Sequence, residues 1–330
     1  MVKKMTLINK LKWALYSLKI KIFKPKNSKR ETTISVKKKE TIFCILFLLF
    51  PIVQFLIFYV ALNMNSILLA FQTYDFGTAE YYLSGFVNFK NVIDDIFVTQ
   101  NLLHAVTNSG IQFLVTLFII TPLNIICAYV VFKKVPFSSF IKIMLFMPNV
   151  LPAMAFVTNA RVLITYGFPE IFATENLLNP YDYSSFWSVL IFGGWMSFAS
   201  GLIVYLSAMS SISKEVLEYG ELEPLSSLKE LVYIIIPSIF PTIVTYIVVT
   251  IGGFFINAGH FYSFFGGNAT KYTPFDTLGY YFFIKVAGNE AVTGADYTYA
   301  AAGGILFTLV VAPITIFTKN LLEKYGPSED

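Results

Sequence analysis

Residues 213–241 read SKEVLEYGELEPLSSLKELVYIIIPSIFP. Seven of these side chains are charged, five of them acidic, and they stand between two long runs almost free of charge. Charge this dense beside strongly apolar sequence must face water or another protein, because burial of an unpaired charge in an apolar medium is prohibitive. Pro224 ends one helical segment, 212–222, and allows a sharp turn into a second, 226–236. Glu215, Glu218 and Leu222 recur at i, i+3 and i+7, which gives the first segment an acidic face with an apolar edge. The second segment runs straight into VYIIIPSIFP. A short helix joined in this way to an apolar one is suited to transmitting force, although spacing alone is equally consistent with a solvated loop.

The apolar flanks are characteristic of the whole chain. Its 330 residues are 56% hydrophobic, 17% aromatic and 13% charged, against roughly 25% charged in soluble domains. Crossing a bilayer takes about 20 mostly apolar residues in a helix. Six stretches meet that length: about 41–63, 110–132, 139–163, 186–209, 232–256 and 299–318. The first is preceded by some 40 residues and lacks a small-residue cleavage pattern, unlike a signal peptide. Cys44 and Cys127 fall inside predicted spans, poor ground for a disulfide.

Lysine and arginine set the expected orientation. Residues 1–40 hold thirteen of them, and Lys133, Lys134, Lys214, Lys229, Lys319 and Lys324 lie on the same predicted side. The opposite loops, about 64–109, 164–185 and 257–298, carry only Lys90, Lys271 and Lys285 against ten acidic residues. Both termini and the 210–231 loop are therefore expected in the cytoplasm. Residues 5–24 mix bulky apolar residues with lysines, as a basic interfacial helix or an unstructured topology-setting leader would.

Several chemistries are missing from the sequence. No stretch matches the phosphate-binding G-x-x-x-x-G-K-[ST], and GGNATK at 266–271 has neither its spacing nor a following helix. His104 and His260, the two histidines, are far apart, which gives a histidine metal site little support. Ionisable residues inside the spans are nearly confined to Arg161 and Lys142, whereas an intramembrane enzyme or ion-coupled carrier typically relies on buried ones. Any energy source must come from outside the chain.

The charged stretch resembles the EAA motif of ABC importer permeases, E-A-A-x-x-x-G-x(9)-I-x-L-P. Glu218-Tyr219-Gly220 stand for E-A-A, Pro224 for the glycine, and Ile234, Ile236 and Pro237 for I-x-L-P, with every spacing kept and Tyr219, Pro224 and Ile236 as departures. YDFGTAEYYLSGFVNFKNVI is similar to the segment after the first span of carbohydrate-type permeases. FKKVPFSSFIKIMLFMPNVLPAMA is similar to their second-to-third-span connection. FFGGNATKYTPFDTLGYYFFIKV followed by YTYAAAGGILF resembles the glycine-rich loop, aromatic helix and sixth span of the MalF/UgpA-like partner rather than the MalG-like one.

The resemblance covers most of 40–325. It implies an all-α polytopic membrane protein with six transmembrane helices in the type I ABC importer (MetI-like) permease fold. Residues 1–40 would be a basic cytoplasmic segment, and 41–325 the permease domain with its coupling loop at 210–237. It further implies a second, MalG-like permease subunit, two cytoplasmic ABC ATPase subunits, an extracytoplasmic solute-binding protein and a sugar substrate. The setting would be a bacterial cell membrane, with no nucleic-acid partner. The chain would be no enzyme and would hold no cofactor or metal, since ATP would bind a partner subunit. The alternative reading is the same architecture importing a peptide or glycerol phosphate; an intramembrane enzyme or a scaffold is a third.

Within that frame Glu218 is expected at the ATPase contact. Gly220 would allow close backbone approach, Pro224 would set the turn, and Pro237 would mark the start of the fifth span. Sugars are recognised by aromatic faces and a few hydrogen-bonding groups, so Trp195, Asn257 and Tyr280 or Tyr281 are candidate path residues; aromatic packing or an interfacial belt would also account for these rings. Arg161 either snorkels to the interface or serves as an outer gate or anion contact.

Overall fold

The computed structural model describes residues 33–100, 102–150, 152–222, 225–266, 275–287 and 293–327. Residues 5–24 and Pro224 lie outside them, as does most of the GGNATK stretch. The chain divides into two compact units, Met1–Met64 and Asn65–Asp330.

In the first unit, the described residues form the helix Thr33–Phe55, which contains Pro51 and passes into a π-helical turn at Leu56–Ala61. The first apolar span, Glu40–Ala70, includes the boundary between the units.

In the second unit, three further helices are long and apolar enough to cross a membrane without a break: Leu103–Phe132, Ser184–Ser210 and Gly294–Tyr325. Two more candidates are bent pairs, Ser138–Val150 with Ala155–Phe172 and Ser227–Ser238 with Phe240–Gly252. Counting each pair as one span gives the six expected from composition. The third and fifth are thus each broken into two helices. Proline supplies the reason: Pro152 precedes the second half of the third span and Pro241 opens the second half of the fifth, where a missing N–H is harmless at a helix start. The fifth span bends by 74° at its break.

The expected polar connections also contain structure. Strands β1 (Gln72–Asp75) and β2 (Glu80–Leu83) pair antiparallel, Gln72 opposite Leu83 and Asp75 opposite Glu80, a small departure from an all-helical chain. Asp75 closes the turn by accepting from the Gly77 N–H and the Thr78 hydroxyl, each at 3.0 Å. The Gly77 N–H, above all, holds its carboxyl below the usual range. Helix α1 (Val87–Phe97) follows. Its buried Asn88, within the YDFGTAEYYLSGFVNFKNVI stretch quoted above, donates to the Ala70 and Gln72 carbonyls at 3.1 and 2.7 Å and so fastens α1 to the end of the preceding helix.

Between the fourth and fifth spans lies helix α2 (Lys214–Leu222). After the fifth come α3 (Phe261–Phe265) and α4 (Leu278–Ala287). Three apolar clusters hold these elements. Ile125, Tyr129, Leu202, Tyr205, Met209, Leu231, Ile235 and Ile239 join the second, fourth and fifth spans near α2. Val157, Phe186, Phe192, Phe261, Phe264, Phe275 and Tyr280 join the third and fourth spans to α3 and α4. Ala70, Phe89, Val92, Leu278, Tyr299 and Ala302 join α1, α4 and the sixth span. Both cysteines are free thiols.

Candidate functional site

Two places carry the candidate residues, and they are built differently. The first is α2. Its N-terminal turn carries Glu215, whose carboxyl is held below the usual range by its own backbone N–H and the Ser213 hydroxyl. Glu215, Val216 and Glu218 are exposed, whereas Leu217 and the preceding Ile212 pack against the cluster joining the second, fourth and fifth spans. The acidic face therefore points away from the core, and Leu217 seats the helix; the Leu222 side chain of the expected apolar edge lies outside the described residues.

Gly220 lies over Ile234, in the π-helical turn Leu231–Ile235 that begins the fifth span; a Cβ at Gly220 would come within 2.5 Å of the Ile234 Cδ1. The close approach this glycine permits is thus to its own chain. Gly220, Val216, Lys229, Tyr233, Ile234 and Pro237 line an open groove of about 700 Å³ between α2 and the fifth span. Pro237 sits in the short helix Ile236–Ser238, immediately before the bend. Glu230, which sequence reasoning passed over, is tied to the second span rather than to solvent.

The second place is a cavity of about 310 Å³ between the second, third and fourth spans and the turn after the fifth. Its polar lining is Gln112, Thr116, Asn149, Ser197, Asn257 and His260, with Gly193 and Gly194 opening the wall of the fourth span. Asn257 is held there by backbone geometry. A Cβ at Gly279 would come within 2.6–2.7 Å of backbone atoms of Ile256, Asn257 and Ala258, so the absence of a side chain at Gly279 lets α4 lie directly on that turn. Thr277 donates to the Asn257 carbonyl at 3.4 Å, and the Asn257 Oδ1 accepts from the Gly259 N–H at 2.9 Å. The Leu278 N–H donates to Ser109 Oγ at 2.8 Å, pinning α4 to the second span. Burial lowers the pKa of His260 below the ordinary imidazole value, so it is neutral at pH 7. In the second span, the π-helical turn Thr116–Ile120 supplies Thr116 and Ile120 to the lining.

Of the four path candidates, Asn257 lines this cavity and the other three do not. Trp195, 36% exposed, turns toward the third span, its ring 5.2 Å from Phe156 and 6.4 Å from Phe192. Tyr280 is fully buried, and its hydroxyl donates to the Gly266 carbonyl at 3.0 Å. Tyr281 packs beside Phe282, 5.9 Å from the Lys285 ammonium, in the cluster of α4 and the sixth span. Arg161 stands apart from the cavity, exposed beside Thr158, Tyr166, Asn176 and Phe265 in a separate cleft of about 440 Å³. Gln112, Asn149 and His260 were missed because each stands alone in the sequence; for Gln112 and Asn149 the one available signal was a polar residue within an apolar span, and His260, in the connection after the fifth span, had none.

Residues 120–326 match the binding-protein-dependent transport system inner membrane component family. The chain is similar to the arabinooligosaccharides transport system permease protein AraP of Bacillus subtilis, 21% identical over 284 residues that cover 82% of this chain and 85% of AraP. It is also similar to the probable ABC transporter permease protein MG188 of Mycoplasma genitalium, 25% identical over 164 residues, 46% of this chain and 48% of that one. Among solved structures, a chain of a bacterial alginate ABC transporter, crystallised in complex with its alginate pentasaccharide-bound periplasmic protein, superposes with a TM-score of 0.68. The two are 17% identical, with 87% of this chain and 96% of that one covered. A second structure of an alginate-importing transporter gives 0.68 at 18% identity, covering 89% and 99%. These likenesses establish a shared fold.

Proposed function

Because the chain belongs to the family of binding-protein-dependent transport system inner membrane components, we propose that it is one permease subunit of an ABC importer for a neutral oligosaccharide. A second, MalG-like subunit completes the path. An extracytoplasmic binding protein delivers the solute, and two cytoplasmic ATPase subunits bind and hydrolyse the ATP. The chain itself catalyses no reaction. Both termini and α2 face the cytoplasm, in keeping with the lysine asymmetry.

One observation carries this reading: the exposed acidic face of α2 is presented on a helix seated by Leu217 and by the Gly220–Ile234 contact on the broken fifth span. A helix that merely carried charge into water would not need such seating. Docking of an ATPase on Glu215 and Glu218 would move α2, and the packing of Leu217 and Gly220 would pass that motion to the segment before Pro237.

The cavity supports the choice of solute. Its six polar side chains are amide, hydroxyl and imidazole groups, which pair with sugar hydroxyls, and the partly buried Met196 offers an apolar surface. Lysine and arginine are absent from its lining among the described residues, which favours a neutral sugar over an acidic one such as alginate or over glycerol phosphate. AraP, named for arabino-oligosaccharides, makes these the first solutes to test. Purified with its cognate ATPase and reconstituted in proteoliposomes, the transporter should take up arabino-oligosaccharide on addition of the binding protein. Uptake of a polyuronate or glycerol phosphate in its place would contradict the assignment.

A further inference from the structure

The carboxylate of Glu230 is gripped by the second span from two points one turn apart. Its Oε1 lies 2.7 Å from the Lys133 ammonium, and its Oε2 accepts from the Tyr129 hydroxyl at 3.0 Å. The grip is sheltered: the Glu230 side chain is 16% exposed, and Tyr129 is buried among Ile125, Leu202 and Leu231. Exposed ion pairs contribute little, but one shielded from water and supported by a second hydrogen bond fixes geometry more strongly. Lys133 caps the end of the Leu103–Phe132 helix, so its charge also complements the carbonyl end of that helix.

The placement of this contact matters more than its strength. Glu230 stands four residues before Ile234, the partner of Gly220, in the first half of the fifth span, Ser227–Ser238, on which α2 rests. Tyr129 lies on the helix whose other half lines the cavity through Gln112, Thr116 and Ile120. From Tyr129 to Gln112 is 17 residues, or ~25 Å along a helix. The motion of α2 thus reaches the fifth span through the Gly220–Ile234 contact, and Glu230 ties that span to the second.

We propose that Glu230 is a positioning residue that latches the first half of the fifth span, on which α2 rests, to the second span, so that displacement of α2 pulls on the cavity wall at Gln112 and Thr116. This rests on the ATPase-docking reading above. Without the latch the ATPase would still dock and hydrolyse ATP, but only the fifth span would follow.

The test uses the assembled transporter in proteoliposomes, measuring solute moved per ATP hydrolysed for Glu230→Gln, Lys133→Gln and the exchanged pair Lys133→Glu with Glu230→Lys. Glu230→Gln is nearly isosteric, and thermal unfolding of each variant checks that it folds. Each single variant should retain ATPase association and lose about fivefold in solute per ATP, near the lower end of ordinary coupling free energies. The exchanged pair should recover most of that loss, which a packing defect would not do. Normal ATPase association with an unchanged ratio in both single variants would overturn the latch alone. If the ATPase failed to associate even with the unaltered chain, the docking reading would fall and the latch's coupling role with it.

Discussion

The α2 loop and the cavity place opposite demands on the chain. The loop is a local object: its acidic face, its glycine and the isoleucine beneath that glycine all lie within Glu215–Pro237. The cavity is assembled from four separated segments, with Gln112, Asn149 and Ser197 on three different helices and Asn257 with His260 on the turn after the fifth span. The two close approaches at glycine differ in the same sense. At Gly220 the facing atom is the tip of a movable side chain, whereas at Gly279 it is backbone. A coupling element can be written as a spacing pattern and can tolerate adjustment. A binding cavity depends on backbone placed by distant parts of the fold.

The largest effect should fall on the loop. Truncating one side of a buried charged contact costs about 2–5 kcal/mol, while a rim contact costs under about 1 kcal/mol. Glu218→Lys should therefore leave the permease inserted but loosen the ATPase by well over tenfold and abolish uptake. Pull-down of the ATPase at the unaltered level would show that the acidic face is only solvated.

Next come the two glycines, whose contrast can be broken directly. Gly279→Ala forces backbone apart and should destabilise by about 1–3 kcal/mol, as overpacking does. Gly220→Ala should cost less than about 1 kcal/mol, because Ile234 Cδ1 can turn aside and alanine is the better helix former. Thermal melts of the two variants decide the matter, and equal losses would erase the distinction. Gly220→Trp, too large for any rotation of Ile234 to accommodate, should tilt α2 and lose the ATPase.

Asn257→Ala should raise the solute concentration for half-maximal uptake by roughly tenfold, the loss of about one good hydrogen bond to a sugar. Trp195→Ala should leave that value within about twofold, since its ring packs on Phe156 and Phe192. If Trp195→Ala shifted it as much as Asn257→Ala, the solute path would run along the third span instead.

The smallest effect concerns pH. Burial depresses the folded pKa of His260 below its unfolded value of about 6.5. Its contribution to stability is complete above pH 6.5 and is lost as the pH falls toward the folded value, because only the unfolded chain takes up the proton in that window. Melting temperature should therefore drop more steeply below pH 6.5 in the unaltered protein than in His260→Gln. Identical slopes would place His260 in water.

Much of the fold is legible in the sequence because membrane helices announce themselves by length and apolar character. Ser184–Ser210 agrees with the expected 186–209 to within two residues. Proline marks most spans for kinking, but which prolines become breaks was not legible: Pro51 and Pro313 are accommodated within continuous helices, while Pro152 and Pro241 stand at breaks, and only packing separates these outcomes. The β1–β2 hairpin was hidden because QTYD and EYYL are too short to alternate convincingly. At the candidate sites, the Glu218–Pro237 spacing was readable because helix and chain continuity hold it together. Tyr280 shows the limit on the other side: an aromatic residue beside a glycine suits a sugar platform, yet whether its ring meets solvent or Phe275 is decided by α3, far from it in composition and pattern.

The docking of a cytoplasmic ATPase on α2 is tested most directly at Val216, an exposed residue between the two outward acids. In a variant with Cys44 and Cys127 replaced by serine, Val216→Cys should react with a membrane-impermeant maleimide in inside-out vesicles and not in right-side-out ones. Binding of the purified cognate ATPase should then protect it. Labelling from the outer side, or equal labelling with and without the ATPase, would contradict the account.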